Sequence, residues 1–382
     1  MIKVGIDLSN IRSGGGLTHI KEILKVLDPA KFNVDTIIVW GGKKTLDELD
    51  NQNWLIKIEE SLLNKSILFR VFWQKYILTK RVTKENCHIL FVPGGSYSGN
   101  FKPFVTMSQN LLPFEPAEIN RYKFSIFYFK LHFLKFVQRN TFKKANGVIF
   151  LTEFARKRVL DFVEIQNSTI VHHGINPVFF KAPKKQKKFT KYDSNSVIRL
   201  LYVSFIGEYK HQWNVIEAVR NLREKGYSIE LTFIGAPSEK KAFKKFQKAI
   251  QLFDSKQEFV NYYPNVSYSE IHSFYEKADL FVFASSCETF GQILTEAMAS
   301  GLPILCSQLS AMPELLGRFG KYFDPINVNS LEVSLMEFID SFEERTTFSE
   351  GAYEEAKKFN WRKASDMTFS FITHTYKEFY LK

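Results

Sequence analysis

Two carboxylates eight positions apart, Glu288 and Glu296, stand on either side of Gly291 within the segment 278–303. Ahead of Glu288, Leu280–Ala284 is a continuous apolar run; after Gly291 the apolar residues follow helical spacing. The pattern predicts a buried strand, a loop carrying Glu288, and a helix that opens at Gly291 and holds Glu296 on its ligand-facing side. A carboxylate can accept two hydroxyl hydrogen bonds at once, which suits the diols of sugars and ribose. The free N–H groups and positive dipole end of such a helix hold phosphate or sugar oxygens without help from a side chain. Either glutamate alone would read as solvated surface. The shared strand–loop–helix setting is what points to a polyhydroxylated, phosphorylated ligand.

The rest of the chain supplies elements able to position such a loop. Ile2–Leu8 reads as a strand, Ser13 to Gly16 as a break, and Leu17–Leu24 as a helix. Further strands are expected at Val34–Trp40, His88–Val92, Val105–Met107 and Gly147–Leu151. The pattern then breaks over residues 181–196, where six lysines crowd a stretch without apolar periodicity, and this is taken as a linker between domains. It restarts with strands at Val197–Val203, Ser228–Ile234, Leu280–Ala284 and Pro303–Cys306, and helices at Asn214–Lys225, Ser269–Lys277 and Gln292–Ser300. Strands alternating with helices imply parallel α/β sheets. The expected fold class is therefore α/β, with two facing Rossmann-like domains, residues 1–185 and 186–364, and a ligand cleft at the carboxyl ends of their strands.

Composition narrows the class further. In 382 residues, 45% are hydrophobic and 24% charged, which excludes a polar disordered chain. The three cysteines, Cys87, Cys287 and Cys306, show neither C-x-x-C spacing nor an even count, so neither a disulfide framework nor a zinc site is expected. The first ten residues read as a strand rather than a signal peptide, and no run approaches a spanning helix, so a cytoplasmic location is expected.

The Glu288–Glu296 segment resembles the Glu-x7-Glu signature of retaining glycosyltransferases with the two-domain GT-B fold, and looks most like glycosyltransferase family 4. Other stretches carry the same resemblance: Val203–His211, Phe233-Ile-Gly235, Val266–Asp279, Met312-Pro-Glu314 and Tyr322–Pro325. In the first half, Gly14-Gly15-Gly16 matches the family's glycine loop, and Val171–Phe179 the strand and turn that leave the first domain.

The resemblance implies roles residue by residue. Glu296 would bind the ribose hydroxyls of a sugar nucleotide. Glu288 would hold the donor sugar, beside backbone N–H groups near Phe290 and Gly291, with Thr289 and Ser204 also lining the donor site. Lys210 would neutralise the departing diphosphate, and Gly15 and Gly16 would let backbone approach the donor phosphates or the acceptor. Family members need no bound metal, no cofactor is implied, and no Asp-x-Asp pair stands ready to hold an ion. The C-terminal residues, about 365–382, would form a helix crossing back to the first domain. The implied reaction moves a sugar from a nucleotide-sugar to a glycan or lipid-linked acceptor in cell-surface polysaccharide synthesis.

Two departures from the family pattern stand out. Phe205 occupies the position five before Lys210 where the family carries an Arg, and Gln109 and Asn110 occupy the place of a His-Asp pair. Both amides can hydrogen-bond a sugar, but neither relays a proton. These departures support a second reading, a catalytically inactive homologue that binds a nucleotide or a partner.

The charge is unevenly spread. The net is +12, yet residues 201–382 hold 20 basic and 24 acidic side chains, while residues 61–150 hold 14 basic and 3 acidic. Residues 121–144 interleave seven Lys or Arg with six Phe and two Tyr. Such a mixture suits an interfacial helix on an anionic membrane surface, beside a lipid-linked acceptor. The alternative for this stretch is a buried helix whose cationic side chains reach outward. No nucleic-acid-binding motif is present, so no nucleic-acid partner is expected.

Overall fold

The computed structural model describes residues 1–193 and 195–380, and these form two compact units. The first comprises residues 1–174 together with the chain from Asn360 onward; the second is Ile175–Phe359.

The first unit is built on seven strands: β1 (Ile2–Asp7), β2 (Val34–Gly41), β3 (Leu55–Glu59), β4 (Ile89–Val92), β5 (Phe104–Ser108), β6 (Gly147–Phe150) and β7 (Ser168–Ile170). They lie in the order β3-β2-β1-β4-β5-β6-β7, every pair parallel. The second unit has six: β8 (Ile198–Val203), β9 (Ile229–Ile234), β10 (Val260–Tyr263), β11 (Leu280–Phe283), β12 (Ile304–Ser307) and β13 (Lys321–Phe323). Their order is β10-β9-β8-β11-β12-β13, again all parallel. Each sheet reverses its winding direction once, between β1 and β4 in the first and between β8 and β11 in the second. At such a switch point the flanking loops splay apart and leave a crevice at the carboxyl ends of the strands.

Central strands such as β4, β6, β11 and β12 are buried throughout, which is why they read as unbroken apolar runs. The edge strands β3, β7, β10 and β13 carry a weak apolar signal, because they are short or half-exposed.

The lysine-rich segment 181–196 is not the boundary expected from its composition; it lies inside the second unit. The chain crosses between units at Gly174–Ile175 and again at Phe359–Asn360, not near 185 and 364. The segment is fastened by backbone bonds and by its own lysines, Lys184 Nζ donating to the Glu276 and Ala278 carbonyls, and apolar periodicity reports neither kind of attachment. Lys181 N–H donates to the Ala299 carbonyl at 3.0 Å, Tyr192 N–H to that of Gly226 at 2.7 Å, and the Lys187 carbonyl accepts from the Arg345 guanidinium.

The final helix, Trp361–Tyr380, packs within the first unit. Ser365 Oγ donates to the Ile23 carbonyl at 2.8 Å, and Phe371 fills the space that a side chain at Gly147 would need.

Candidate functional site

In the second unit both loops at the switch point carry predicted site residues. After β8 the chain runs through Ser204 and Phe205 into a 3-10 turn, Glu208–Lys210. His211, in the left-handed region at φ 50°, then starts the helix Gln212–Glu224. After β11 the chain enters the loop of Glu288, and Gly291 at φ 88° turns it into the helix Gln292–Ala299. That backbone angle explains glycine there, since a side chain would be strained. Glu288 thus sits in the loop and Glu296 in the helix, as their spacing predicts.

Lys210 is buried, and its Nζ donates to Glu288 Oε1. The ammonium also faces three rings, Phe205 at 4.8 Å, Tyr209 at 5.1 Å and Phe283 at 5.3 Å from their centroids. Ring faces attract a cation without neutralising it, so the carboxylate of Glu288 is its ionic partner. The two loops are tied further by Ser286 N–H donating to the Tyr209 carbonyl at 2.9 Å and by a 2.8 Å contact between His211 Nε2 and Ser286 Oγ. Ser310 fixes Glu288 from below. Its hydroxyl accepts from Glu288 N–H and donates to the Glu288 carbonyl, both at 2.9 Å.

Glu296 is buried with two tyrosine hydroxyls on it, Tyr275 at 3.3 Å and Tyr268 at 3.5 Å. Burial pushes its carboxyl up to about 8, against the lowering effect of those two hydrogen bonds. The group is therefore mostly protonated at neutral pH and can both donate to and accept from a hydroxyl. Ser204, at the end of β8, has a buried Oγ without a protein hydrogen-bond partner. Phe290 is buried edge-on against Phe359, ring centroids 5.6 Å apart, and Thr289 is buried beside it in sequence. So Lys210 and Glu288 are joined directly, while Phe290 serves packing.

The first unit holds its own group. Gly14, at φ 70°, precedes the helix Gly15–Lys25. Beyond its chain neighbours and its own helix backbone, nothing comes within 4 Å of where a side chain on Gly15 would begin, whereas one on Gly16 would meet Gln109 Oε1 at 3.0 Å. Gln109 Nε2 donates to the Pro93 carbonyl at 3.1 Å. Asn110 Oδ1 accepts from Leu112 N–H at 3.2 Å, a local turn-forming bond. The structure thus brings Gly16 and Gln109 together and gives both amides backbone partners. On the same helix His19 is fully buried, with Nδ1 2.9 Å from His173 Nδ1 and Trp361 packed on both rings. One imidazole must donate and the other accept, which requires both to be neutral or one to carry a single shared proton.

Sequence reading missed the residues that hold these groups: Tyr268, Tyr275, Ser310 and Ser286. The tyrosines left one trace, a spacing of seven that puts both on one face of the helix Tyr268–Lys277. Among the described residues, no group of three or more His, Cys, Asp or Glu is placed to hold a metal, and the three cysteines are buried and form no disulfide.

Residues 183–355 match the family described as glycosyl transferases group 1. The sulfoquinovosyl transferase of Arabidopsis thaliana is 32% identical over 101 residues, which is 25% of this chain and 20% of that protein. The O-antigen chain mannosyltransferase B of Escherichia coli is 26% identical over 116 residues, 30% of either chain. The matched stretches therefore span less than a third of those relatives. Sucrose-phosphate synthase from Thermosynechococcus elongatus superposes over 100% of both chains with a TM-score of 0.75 at 14% identity, a likeness that concerns the fold. The chain has the GT-B fold of two Rossmann-like α/β domains.

Proposed function

We propose that the chain is a retaining glycosyltransferase of family 4 type. It would move a sugar from a nucleotide-sugar to a glycan or lipid-linked acceptor in cell-surface polysaccharide synthesis. The observation that carries this reading is the pair of buried Lys210 and partly exposed Glu288 at the switch point of the second sheet, beside the helix that holds Glu296. A lysine buried against a carboxylate and aromatic rings is positioned for an anion that arrives and takes the carboxylate's place. The names of the mannosyltransferase and sulfoquinovosyl transferase relatives support sugar transfer as the reaction class.

In this reading the nucleoside sits with its ribose diol on Glu296 and its diphosphate on Lys210 and the free N–H groups that follow Gly291. The bond from the anomeric carbon to the diphosphate oxygen breaks, and its electron pair leaves with the phosphate. Lys210 stabilises that developing charge where it appears. Glu288, released from Lys210, accepts hydrogen bonds from the donor sugar. The acceptor hydroxyl adds to the same face, and its proton passes to the departing phosphate oxygen. This route asks no proton relay of Gln109 or Asn110.

A screen of nucleotide-sugars by nucleoside diphosphate release tests the reading, with product anomers assigned by NMR. Release with at least one donor, retention of configuration and loss in Glu288→Ala are expected. The same backbone bonds at Gln109 and Asn110 favour a second reading, a nucleotide-binding homologue without turnover. Nucleotide binding without release from any donor would establish it instead.

A further inference from the structure

The first unit exposes more apolar surface than a solvated face needs. On the helix Ile126–Lys144, Ile126, Phe129, Phe133 and Phe136 are 60–77% exposed. Their spacing of three and four residues sets them in one outward stripe, while Leu131, Gln138 and Phe142 face inward. Phe124, just before the helix, is 100% exposed. The helix is thus not the buried one that its aromatic content could also have meant. A second helix, Ile67–Tyr76, repeats the arrangement: Leu68, Phe72 and Tyr76 lie outward at intervals of four, and Trp73 and Gln74 are buried. The sequence reading did not single this helix out.

The two helices lie on the same face of the sheet. One precedes β4 on the crossover from β3; the other precedes β6 on the crossover from β5. Both crossovers advance across the sheet in the same direction, and right-handed parallel crossovers then place their helices on one side. The loop after β4 touches both. Gln74 donates to the Ser96 carbonyl at 3.1 Å and accepts from Ser98 N–H at 2.9 Å, while Tyr97 N–H donates to Thr141 Oγ1 at 2.9 Å.

The occupant follows from charge. Residues 61–150 carry 14 basic and 3 acidic side chains, and Lys65 and Lys75 lie against the rings of Phe69 and Tyr76 at 5.1 Å. A second copy of the chain would set cations against cations. A single-stranded nucleic acid would stack on rings but gain nothing from Ile67, Leu68 and Ile126. A bilayer with anionic headgroups satisfies both features, the acyl boundary taking the apolar side chains and the headgroups the lysines and arginines. We infer that helices Ile67–Tyr76 and Ile126–Lys144 together form a two-helix surface that seats the first unit on an anionic bilayer.

Vesicle flotation tests this with phosphatidylcholine alone and with phosphatidylcholine containing phosphatidylglycerol. Binding to the anionic vesicles, reduced at high salt, is expected. The pair Phe129→Ser/Phe133→Ser and the pair Leu68→Ser/Phe72→Ser should each lower partitioning about tenfold, with unchanged melting temperature because all four side chains are exposed. Several results would overturn the inference: no flotation with anionic vesicles, equal flotation with both kinds, or a concentration-dependent dimer or single-stranded RNA complex in place of lipid binding. An intact response in the Leu68/Phe72 variant would remove the second helix from it. Flotation requires no sugar transfer, so a chain that floats without turnover, or turns over without floating, separates this surface from the enzymatic reading.

Discussion

Lys210 and Glu288, 78 residues apart in the chain, form one ion pair across the switch point of the second sheet, the lysine buried and the glutamate partly exposed. In the proposed reaction an arriving diphosphate would have to displace Glu288 from Lys210 before it gains the ammonium, so the pair would set the resting affinity for the leaving group as well as its charge balance.

Glu288→Gln separates those two effects. The variant frees Lys210 from competition, so a nucleoside diphosphate is expected to bind about fivefold more tightly. Sugar transfer should nonetheless fall about a hundredfold or more, because a neutral amide with one acceptor oxygen replaces the charged carboxylate that holds the donor sugar. Calorimetric titration with nucleoside diphosphates and turnover with the best donor measure the two. Weaker diphosphate binding in the variant would contradict the displacement.

Glu296 is shifted in the opposite direction from an ion-paired carboxylate. Its folded value of about 8 lies above the unfolded one near 4.5, so the folded chain keeps a proton that the unfolded chain has lost. Stability contributed by this group is full below pH about 4.5 and declines up to about 8. Glu296→Gln removes the dependence. The melting temperature of the second unit in this variant, relative to wild type, should rise from pH 5 to 8 and level off above. Melts in the absence of nucleotide at four pH values check it; a constant difference would place the carboxylate in the ionised form.

The His19–His173 pair acts in the first unit. Burial lowers His19 to about 3 and His173 well below its ordinary value, so the folded pair stays neutral where unfolded imidazoles have protonated. Stability from the pair is present above pH about 6.5 and falls as the pH drops below it. His173→Asn should lose stability at pH 8 yet show a shallower acid slope than wild type. Buried Asp7, whose carboxyl is raised by desolvation, is common to both proteins and cancels in the comparison. Denaturant titrations between pH 4 and 8 provide the slopes.

Gly235 tests the floor of the site. It has φ 140°, and a Cβ there would stand 2.2 Å from the Ser204 carbonyl oxygen. Gly235→Ala should cost about 3 kcal/mol in chemical denaturation and weaken nucleotide binding by moving Ser204.

The switch-point architecture was legible because its central strands are buried on both faces and leave apolar runs in the sequence. Glu288, Gly291 and Glu296 were legible because one loop and one helix hold them within a short span. Tyr275 on Glu296 and Ser310 on Glu288 were not, since contacts between separate helices and separate loops join residues with no local pattern between them. The lysine segment misled for a related reason: charge density marks solvent exposure, and solvent exposure says nothing about whether a backbone is fastened. Phe205 was legible as a departure, but its ring against Lys210 needed the turn Glu208–Lys210 to be seen.

The helix Trp361–Tyr380 has a consequence for synthesis on the ribosome. The second unit is one continuous stretch, complete once Phe359 has emerged, whereas the first still lacks its last helix at that point. The part made first is therefore the part finished last. Until Ser365 reaches Ile23 and Phe371 reaches Gly147, the nascent first sheet carries an uncovered apolar strip. Nascent chains halted before residue 360 should recruit chaperones through that strip, even though their second half is nearly whole.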